Sequence, residues 1–148
     1  MARLNRILFT FTAGAVLLGV GLSGAIQAQM PTTVAPANAK VYFVNLVDGE
    51  VVSNPVKVVM GLSGMGIAPA GIDFPETGHH HLVIDAPTPP AGQVIAADER
   101  HVHFGKGQTE AVLQLSPGKH TLQLVLGDRN HVPHTPAIVS RVITITVQ

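Results

Sequence analysis

The stretch Leu115-Ser-Pro-Gly-Lys-His-Thr-Leu-Gln-Leu-Val-Leu126 contains the clearest signals of the fold. Ser116-Pro117-Gly118 is a turn sequence, because proline and glycine supply the backbone angles that turns require. After the turn, Leu122, Leu124 and Leu126 alternate with other residues. A period of two is typical of a β-strand, in which successive side chains point to opposite faces. The stretch therefore predicts a tight turn followed by a strand with one leucine-rich face.

The chain after residue 39 has the same organisation throughout, with short β segments separated by turns rich in Gly and Pro. The segments predicted as strands are Lys40–Val47, Val56–Met60, His79–Asp85, Arg100–Phe104, Thr109–Leu115, Lys119–Leu126 and Val139–Val147. Gly61 to Gly78 carries five glycines and is predicted as a long loop. Gly105-Lys106-Gly107 is predicted as a hairpin turn. Seven such segments without helical periodicity predict an all-β fold, an antiparallel immunoglobulin-like or Greek-key sandwich.

The N-terminus has the layout of a secretory signal peptide. Arg3 and Arg6 form a positive beginning, an apolar run follows, and Ala28 offers a small residue for cleavage. The alternative is an uncleaved membrane anchor, but the apolar run of ~16 residues is shorter than the ~20 that span a membrane comfortably. We therefore expect a signal peptide at 1–28, a flexible lead-in at 29–39 and a single sandwich domain at 40–148. The expected location is the bacterial periplasm, with no stable membrane span after cleavage.

The composition excludes several functions. The chain of 148 residues has 9 basic and 9 acidic side chains and no cysteine. The balanced charge provides no basic surface for nucleic acid. Without cysteine there is no disulfide, no thiolate nucleophile and no blue-copper site. No G-x-S-x-G string is present, so a serine hydrolase of that type is not indicated. The sequence favours a binding protein over an enzyme.

Histidine is the residue in excess, with eight in the chain, and seven of these fall in three clusters. The clusters are His79-His80-His81, His101 with His103, and His131 with His134. In their two strands, His79 and His81 share one face, and so do His101 and His103. Each pair lies opposite an apolar face, so both pairs are predicted to point outward. Alternate Cβ atoms on a strand lie ~6.5–7 Å apart, so paired imidazoles can converge on one ion.

Imidazole is a good ligand for copper, zinc and nickel ions, and such a site needs no thiolate. His131 and His134 flank Pro133 in a stiff loop and are second-choice ligands. The predicted metal ligands are His79, His81, His101, His103, His131 and His134, and the predicted cofactor is copper or zinc.

Other polar residues near the clusters are predicted to be structural. His80 is on the apolar face and is expected in the core. His120 follows the Pro117-Gly118 turn and is expected to bond back across it, like the corner tyrosine of immunoglobulin-type sandwiches. Asp128 is predicted to cap a turn. Met60 is expected in the core.

Three longer strings resemble an exported bacterial family of domains of unknown function. They are Gly78-His-His-His-Leu-Val-Ile-Asp85, His103-Phe-Gly-Lys-Gly-Gln-Thr-Glu110, and Leu115-Ser-Pro-Gly-Lys-His-Thr-Leu122 continuing to His131-Val-Pro-His134. The resemblance extends over roughly residues 56–147. It implies an exported β domain and assigns neither a reaction nor ligands. A weaker likeness, through His101-Val-His-Phe-Gly105, is to copper–zinc superoxide dismutases, although their cysteine pair is missing.

Three hypotheses about function follow. The first is binding of copper or zinc by the paired histidines without catalysis, with the metal ion as partner. The second is an envelope protein–protein interaction module or pH sensor with structural histidines, whose partner is a periplasmic protein; clustered imidazoles with an ordinary pKa near 6.5 gain charge together on acidification. The third is a dismutase-like metalloenzyme, which needs an open coordination position.

Overall fold

The computed structural model describes residues 30–148, and this part of the chain contains nine strands and no helix. The strands are β1 (Lys40–Phe43), β2 (Val51–Val52), β3 (Val56–Ser63), β4 (Gly66–Ile67), β5 (Thr77–Ile84), β6 (His101–His103), β7 (Glu110–Leu113), β8 (Gly118–Gly127) and β9 (Ile143–Val147). All seven predicted segments contain a strand. The two additional strands, β2 and β4, have only two residues each, too few to show an alternating pattern in sequence.

The strands form two sheets. The smaller sheet has the order β1-β3-β7, and the larger has the order β2-β9-β8-β5-β4, with β6 also paired to β5. Most pairs are antiparallel, as predicted, but β2 pairs with β9 and β4 with β5 in parallel. The larger sheet is therefore mixed, whereas the smaller sheet is entirely antiparallel.

One hydrophobic core lies between the two sheets. The smaller sheet contributes Val41, Val58 and Met60, and Met60 is buried as predicted. The larger sheet contributes the alternating leucines of β8 and matching residues of β5 and β9. In register, Leu82 lies opposite Leu124. Because side chains alternate along each strand, the face that contains Leu82 and Leu124 packs on the smaller sheet and gives the β sandwich its interior.

The predicted long loop at residues 61–78 is wrong in part, because β3 continues through Gly61 to Ser63 and β4 follows. Gly61 lies directly opposite Tyr42. The Tyr42 ring occupies the space that a Cβ on Gly61 would need. A glycine covered by a cross-strand aromatic ring is compatible with a strand, so the glycine signal was misleading at this position.

The predicted hairpin at Gly105–Gly107 is a turn but not a hairpin. The strand before it, β6, belongs to the larger sheet, and the strand after it, β7, belongs to the smaller one. The chain therefore crosses between sheets here, and it crosses back through the turn at residues 116–118. Both turn sequences were recognised, but the pairing of the flanking strands depends on long-range contacts.

The second face of the larger sheet is also covered. Val83 of β5 and Val125 of β8 pack against Ile95, and Ala86 and Val139 adjoin them. The segments after β5 and after β8 thus form a lid over this face. The prediction that the His79 and His81 side chains point outward to solvent is therefore wrong, since their exposed fractions are 0% and 1%.

The N-terminal part of the described chain joins this cover. Thr33 and Ala35 exchange backbone hydrogen bonds with Thr135, and Met30 N–H donates to Gly92 O. These residues belong to the segment predicted as a flexible lead-in, 29–39. The predicted signal peptide, 1–28, lies outside the described residues. Within residues 30–148 the search for a helix long and apolar enough to cross a membrane found none.

Candidate metal centre

Two neighbouring strands bring three imidazoles together. His79 and His81 alternate along β5, so both side chains project from the covered face of the larger sheet. His103 of β6 lies directly opposite His81 in the antiparallel register. A fourth imidazole, that of His131, comes from the loop that follows β8. We call His79, His81, His103 and His131 the histidine cluster.

All four rings of the histidine cluster contact one another. Ring centroids are separated by 4.6 Å for the His103–His131 pair and by 5.9 Å for the widest pair, His81–His131. The other four pairs lie between these values. Nε2 of His103 lies 3.1 Å from Nε2 of His131. Each ring therefore adjoins every other, as expected of side chains around one centre.

The spacing of the ring nitrogens is close to that of a metal site. One nitrogen from each of His79, His81 and His103 can be chosen so that all three lie within 4.8 Å of one another. An ion that accepts nitrogen ligands at ~2.0–2.1 Å requires nitrogens no more than ~4.2 Å apart. Small rotations of the imidazoles close this difference. The three histidines could hold a metal ion.

Burial leaves the deeper half of the cluster without hydrogen bonds. Both ring nitrogens of His79 and of His81 are inaccessible to solvent and have no partner in the described chain. Unpartnered polar atoms in the interior are rare and cost roughly 1–3 kcal/mol each. His103 is exposed and His131 is half-buried, so the cluster extends from the interior to the surface. An ion that accepted the buried nitrogens would remove this cost and could enter from the His103 side.

Burial and mutual repulsion favour the neutral form of three imidazoles of the cluster, those of His79, His81 and His103. Burial, followed by the neighbouring His131 and His103, lowers the pKa of His79 from 6.5 to about 4. Burial, followed by His79 and His103, lowers the pKa of His81 to about 3. The pKa of His103 is also lowered, first by burial and then by His131. A neutral imidazole has a free lone pair, so these rings are in the protonation state that binds metals.

Two glycines provide room for the rings. A Cβ on Gly127 would lie 2.6 Å from Cε1 and 2.9 Å from Nδ1 of His81. A Cβ on Gly105 would overlap the imidazole of His103. Neither glycine has a positive φ angle, so the turn geometry does not require glycine at these positions. Their missing side chains are instead the space in which His81 and His103 pack.

Asp128 holds the loop that carries His131. Its Oδ1 accepts hydrogen bonds from the N–H groups of Asn130 and Val132, and its Oδ2 accepts one from Thr33 Oγ1. His131 itself has a φ of 65°, in the left-handed region, which is uncommon outside glycine. The predicted role of Asp128 as a turn cap is confirmed, and the turn orients a histidine of the cluster.

The other two predicted ligands lie apart from the cluster. His101 is opposite Val83, two positions along β6 from His103, and its Nδ1 donates to Asp98 Oδ1 at 2.8 Å. His134 is buried, with Nδ1 3.4 Å from Leu126 O. Of the six predicted ligands, the structure thus brings together His79, His81, His103 and His131. The residues that sequence reasoning did not select were Gly105 and Gly127.

The remaining histidines have the structural positions predicted for them. His80 is fully buried on the face of β5 that carries Leu82. Nε2 of His120 lies 2.9 Å from Ser116 O, back across the turn, and its Nδ1 lies 2.7 Å from Asp85 Oδ2. Because both ring nitrogens face acceptors, the Asp85 carboxylate and the Ser116 carbonyl raise the pKa of His120.

Comparisons with known proteins identify a family for the chain, and that family has no described activity. No curated protein and no solved structure matches it. Residues 58–148 match a family described as a domain of unknown function, DUF4399. The matched region contains β5, β6 and the loop after β8, and therefore every residue of the histidine cluster. The chain belongs to the family of domains of unknown function DUF4399.

Proposed function

We propose that this protein binds a transition metal ion, copper or zinc, and that it does so without catalysing a reaction. His79, His81 and His103 are the proposed ligands, with His131 as the fourth. The observation that carries the proposal is the convergence of four imidazoles, two of them with buried nitrogens that have no partner among residues 30–148. Because residues 1–28 have the layout of a secretory signal peptide, we also propose that the protein acts outside the cytoplasm, in the periplasm.

The chemistry of the ligand set supports copper and zinc over other ions. Neutral imidazole is an intermediate ligand that suits Zn²⁺ and Cu²⁺, whereas Mg²⁺ and Ca²⁺ prefer oxygen. The three-residue group that could hold an ion contains only histidines. Among divalent first-row ions, Cu²⁺ binds nitrogen sites most tightly. We therefore expect both ions to bind and copper to bind more tightly.

The proposal is tested by metal affinity in two variants of one strand. His103→Ala removes a ring of the cluster, while His101→Ala removes a histidine two residues away that faces Asp98. Loss of a direct ligand should weaken binding by at least ~100-fold, more than the 10–100-fold typical of changes around a ligand. We expect this loss for His103→Ala and unchanged affinity for His101→Ala, measured by competition with a chromogenic chelator.

The protein for this experiment carries no tag and is purified without nickel resin. Elemental analysis before any addition measures the metal that the protein acquires in the cell. Equal affinity of the two variants would contradict the ligand assignment. Metal-free protein with no micromolar affinity for added Cu²⁺ or Zn²⁺ would contradict the proposed function and would favour an interaction or pH-sensing module.

A further inference from the structure

A groove separates the outer edge of β1 from residues 137–143, the segment that leads into β9. Its volume is about 590 Å³, within the ~300–1,000 Å³ typical of ligand sites. The residues at its base, Val41, Leu46, Ile138 and Ile143, belong to the hydrophobic core. None of the histidine cluster lines the groove, so it is separate from the candidate metal centre.

The first wall of the groove is an open strand edge. β1 is an edge strand of the smaller sheet, and within residues 30–148 it pairs only with β3. Val44 N–H donates to Val59 O, so Val44 and Val59 form a hydrogen-bonded pair. Hydrogen-bonded and non-hydrogen-bonded pairs alternate along an antiparallel ladder. The N–H and C=O groups of Val41 and Phe43 therefore point away from β3. They have no partner among residues 30–148.

The second wall is also an open edge. Ile138 O accepts from Leu126 N–H, and Ser140 N–H donates to Leu124 O, so these residues are tied to β8. Val139 lies between them, and its N–H and C=O point in the opposite direction. Further along, Thr144 is covered by contacts with Asp48 and Gly49. Among the residues that the structure describes, the part of this edge beside the groove is therefore open.

The charge of the groove has one sign. Lys40 lies on the β1 wall and Arg141 on the opposite wall, and among residues 30–148 no Asp or Glu lines the space between them. Both side chains belong to exposed residues, and neither forms an ion pair within the described chain. Two unpaired cations beside an apolar floor favour a ligand that is both apolar and anionic.

We propose that this groove binds an extended acidic peptide of a partner protein, which adds as a strand to the edge of β1. Its backbone would pair with Val41 and Phe43, alternate apolar side chains would cover the core, and a carboxylate would face Lys40 and Arg141. Strand addition of this kind obtains affinity from main-chain hydrogen bonds and specificity from alternate side chains. A peptide is favoured over a fatty acid because both walls present backbone N–H and C=O groups without partners in the described chain. On β1 these groups are spaced two residues apart, as in an extended peptide that would pair with them.

The test is selection from a displayed library of random heptapeptides. The target is the wild-type protein, and the enriched peptides are then titrated against both the wild type and the Lys40→Glu/Arg141→Glu variant. We expect enriched peptides to combine Asp or Glu with alternating apolar residues and to bind the variant at least ~10-fold more weakly. The variant should keep its thermal midpoint and its metal affinity, because both residues are exposed and outside the histidine cluster.

Backbone pairing is tested with a second form of the best peptide. N-methylation of alternate residues removes N–H donors without changing the side chains. We expect the unmodified peptide to shift the amide resonances of Val41 and Phe43, and the methylated peptide to lose binding. Several outcomes would overturn the proposal: no enriched peptide, equal binding to the charge-reversed variant, or equal binding of the methylated peptide. If dodecanoate shifts the same amide resonances and no peptide competes with it, the groove binds a small amphipathic anion instead. If the protein dimerises through these residues, the groove binds a second copy of the chain.

Discussion

The histidine cluster depends on Gly127, because a glycine at this position leaves space for an imidazole. The imidazole of His81 lies where a Cβ of residue 127 would project. The same holds for His103 over Gly105. The two glycines come from different strand ends and lie 22 positions apart in the printed sequence. At the scale of single residues, the cluster is therefore built from four histidines and two glycines that leave space for them.

Gly127→Ala should weaken metal binding while the protein stays folded. The added methyl group would displace the ring of His81, which is the mobile end of a side chain, and the backbone angles at this position suit alanine. We expect a loss of affinity of ~10–100-fold, the range typical when ligand orientation is disturbed. The measurement is chelator competition combined with thermal unfolding.

Gly66→Ala is the matched control for this change. Gly66 also lies in the larger sheet, but its added Cβ would meet Thr77 Cγ2 at 3.3 Å and no histidine of the cluster. We expect its metal affinity to be that of the wild type. Unchanged affinity in a folded Gly127→Ala protein would show that the position of His81 does not matter for binding.

At the scale of elements, the loop after β8 completes the cluster. His131 O accepts from Ile95 N–H at 2.7 Å, and its N–H donates to Asp128 O at 2.9 Å. The left-handed conformation of His131 is thus held from both sides, and Thr33 connects the N-terminal segment to the same aspartate. Strained backbone is found at functional sites where the surroundings support it. The loop is positioned before any ion arrives.

Asp128→Ala should reduce metal affinity by acting through His131. The substitution removes the acceptor for the N–H groups of Asn130 and Val132, so the loop loses its fixed conformation. We expect affinity to fall ~10–100-fold and hydrogen exchange of these two amides to accelerate. Asp128→Asn, which keeps an acceptor oxygen, should have a smaller effect.

A double-mutant cycle separates this role from a general loss of stability. If Asp128 acts through His131, then Asp128→Ala should cause no further loss of affinity in a His131→Ala background. Additive losses in the double variant would contradict a positioning role for the aspartate.

At the scale of the whole molecule, the buried histidines couple folding to pH. In the folded protein, burial lowers the pKa of His79 and of His80 to about 4 and that of His81 to about 3. In the unfolded chain these groups titrate near 6.5. Between these values the unfolded state binds more protons, so stability is complete above pH 6.5 and is lost as the pH falls towards 4.

The metal-free protein should therefore be destabilised by mild acid. Three such imidazoles give a slope of up to about 4 kcal/mol per pH unit in the free energy of unfolding. Urea unfolding at pH 7, 6 and 5 measures this slope. Zn²⁺ at 100 times its dissociation constant should add about 2.7 kcal/mol at pH 7. A free energy of unfolding that stayed constant from pH 7 to pH 5 would contradict the account of buried neutral histidines.

The sequence predicted the positions of the strands better than the pairing of the strands and the segments that cover them. Alternation of apolar residues located β5 and β8, and the same alternation placed His79 and His81 on one face. Sequence periodicity does not show what covers a face, so the lid formed with Ile95 was missed. Sequence periodicity also does not show the register of β5 and β6, in which His101 lies opposite Val83. The fourth ring of the cluster is therefore that of His131 and not that of His101. These features depend on contacts between segments far apart in the chain.

The most direct test of the central claim is an anomalous difference map of crystals of the zinc-loaded protein, recorded at the zinc absorption edge. We expect one strong peak among His79, His81, His103 and His131, at ~2.0–2.1 Å from a nitrogen of each bound ring. His101 and His134 should remain outside this shell. A saturated protein whose only peak lies elsewhere, or whose peak involves fewer than three rings of the histidine cluster, would show that the cluster is not the metal site.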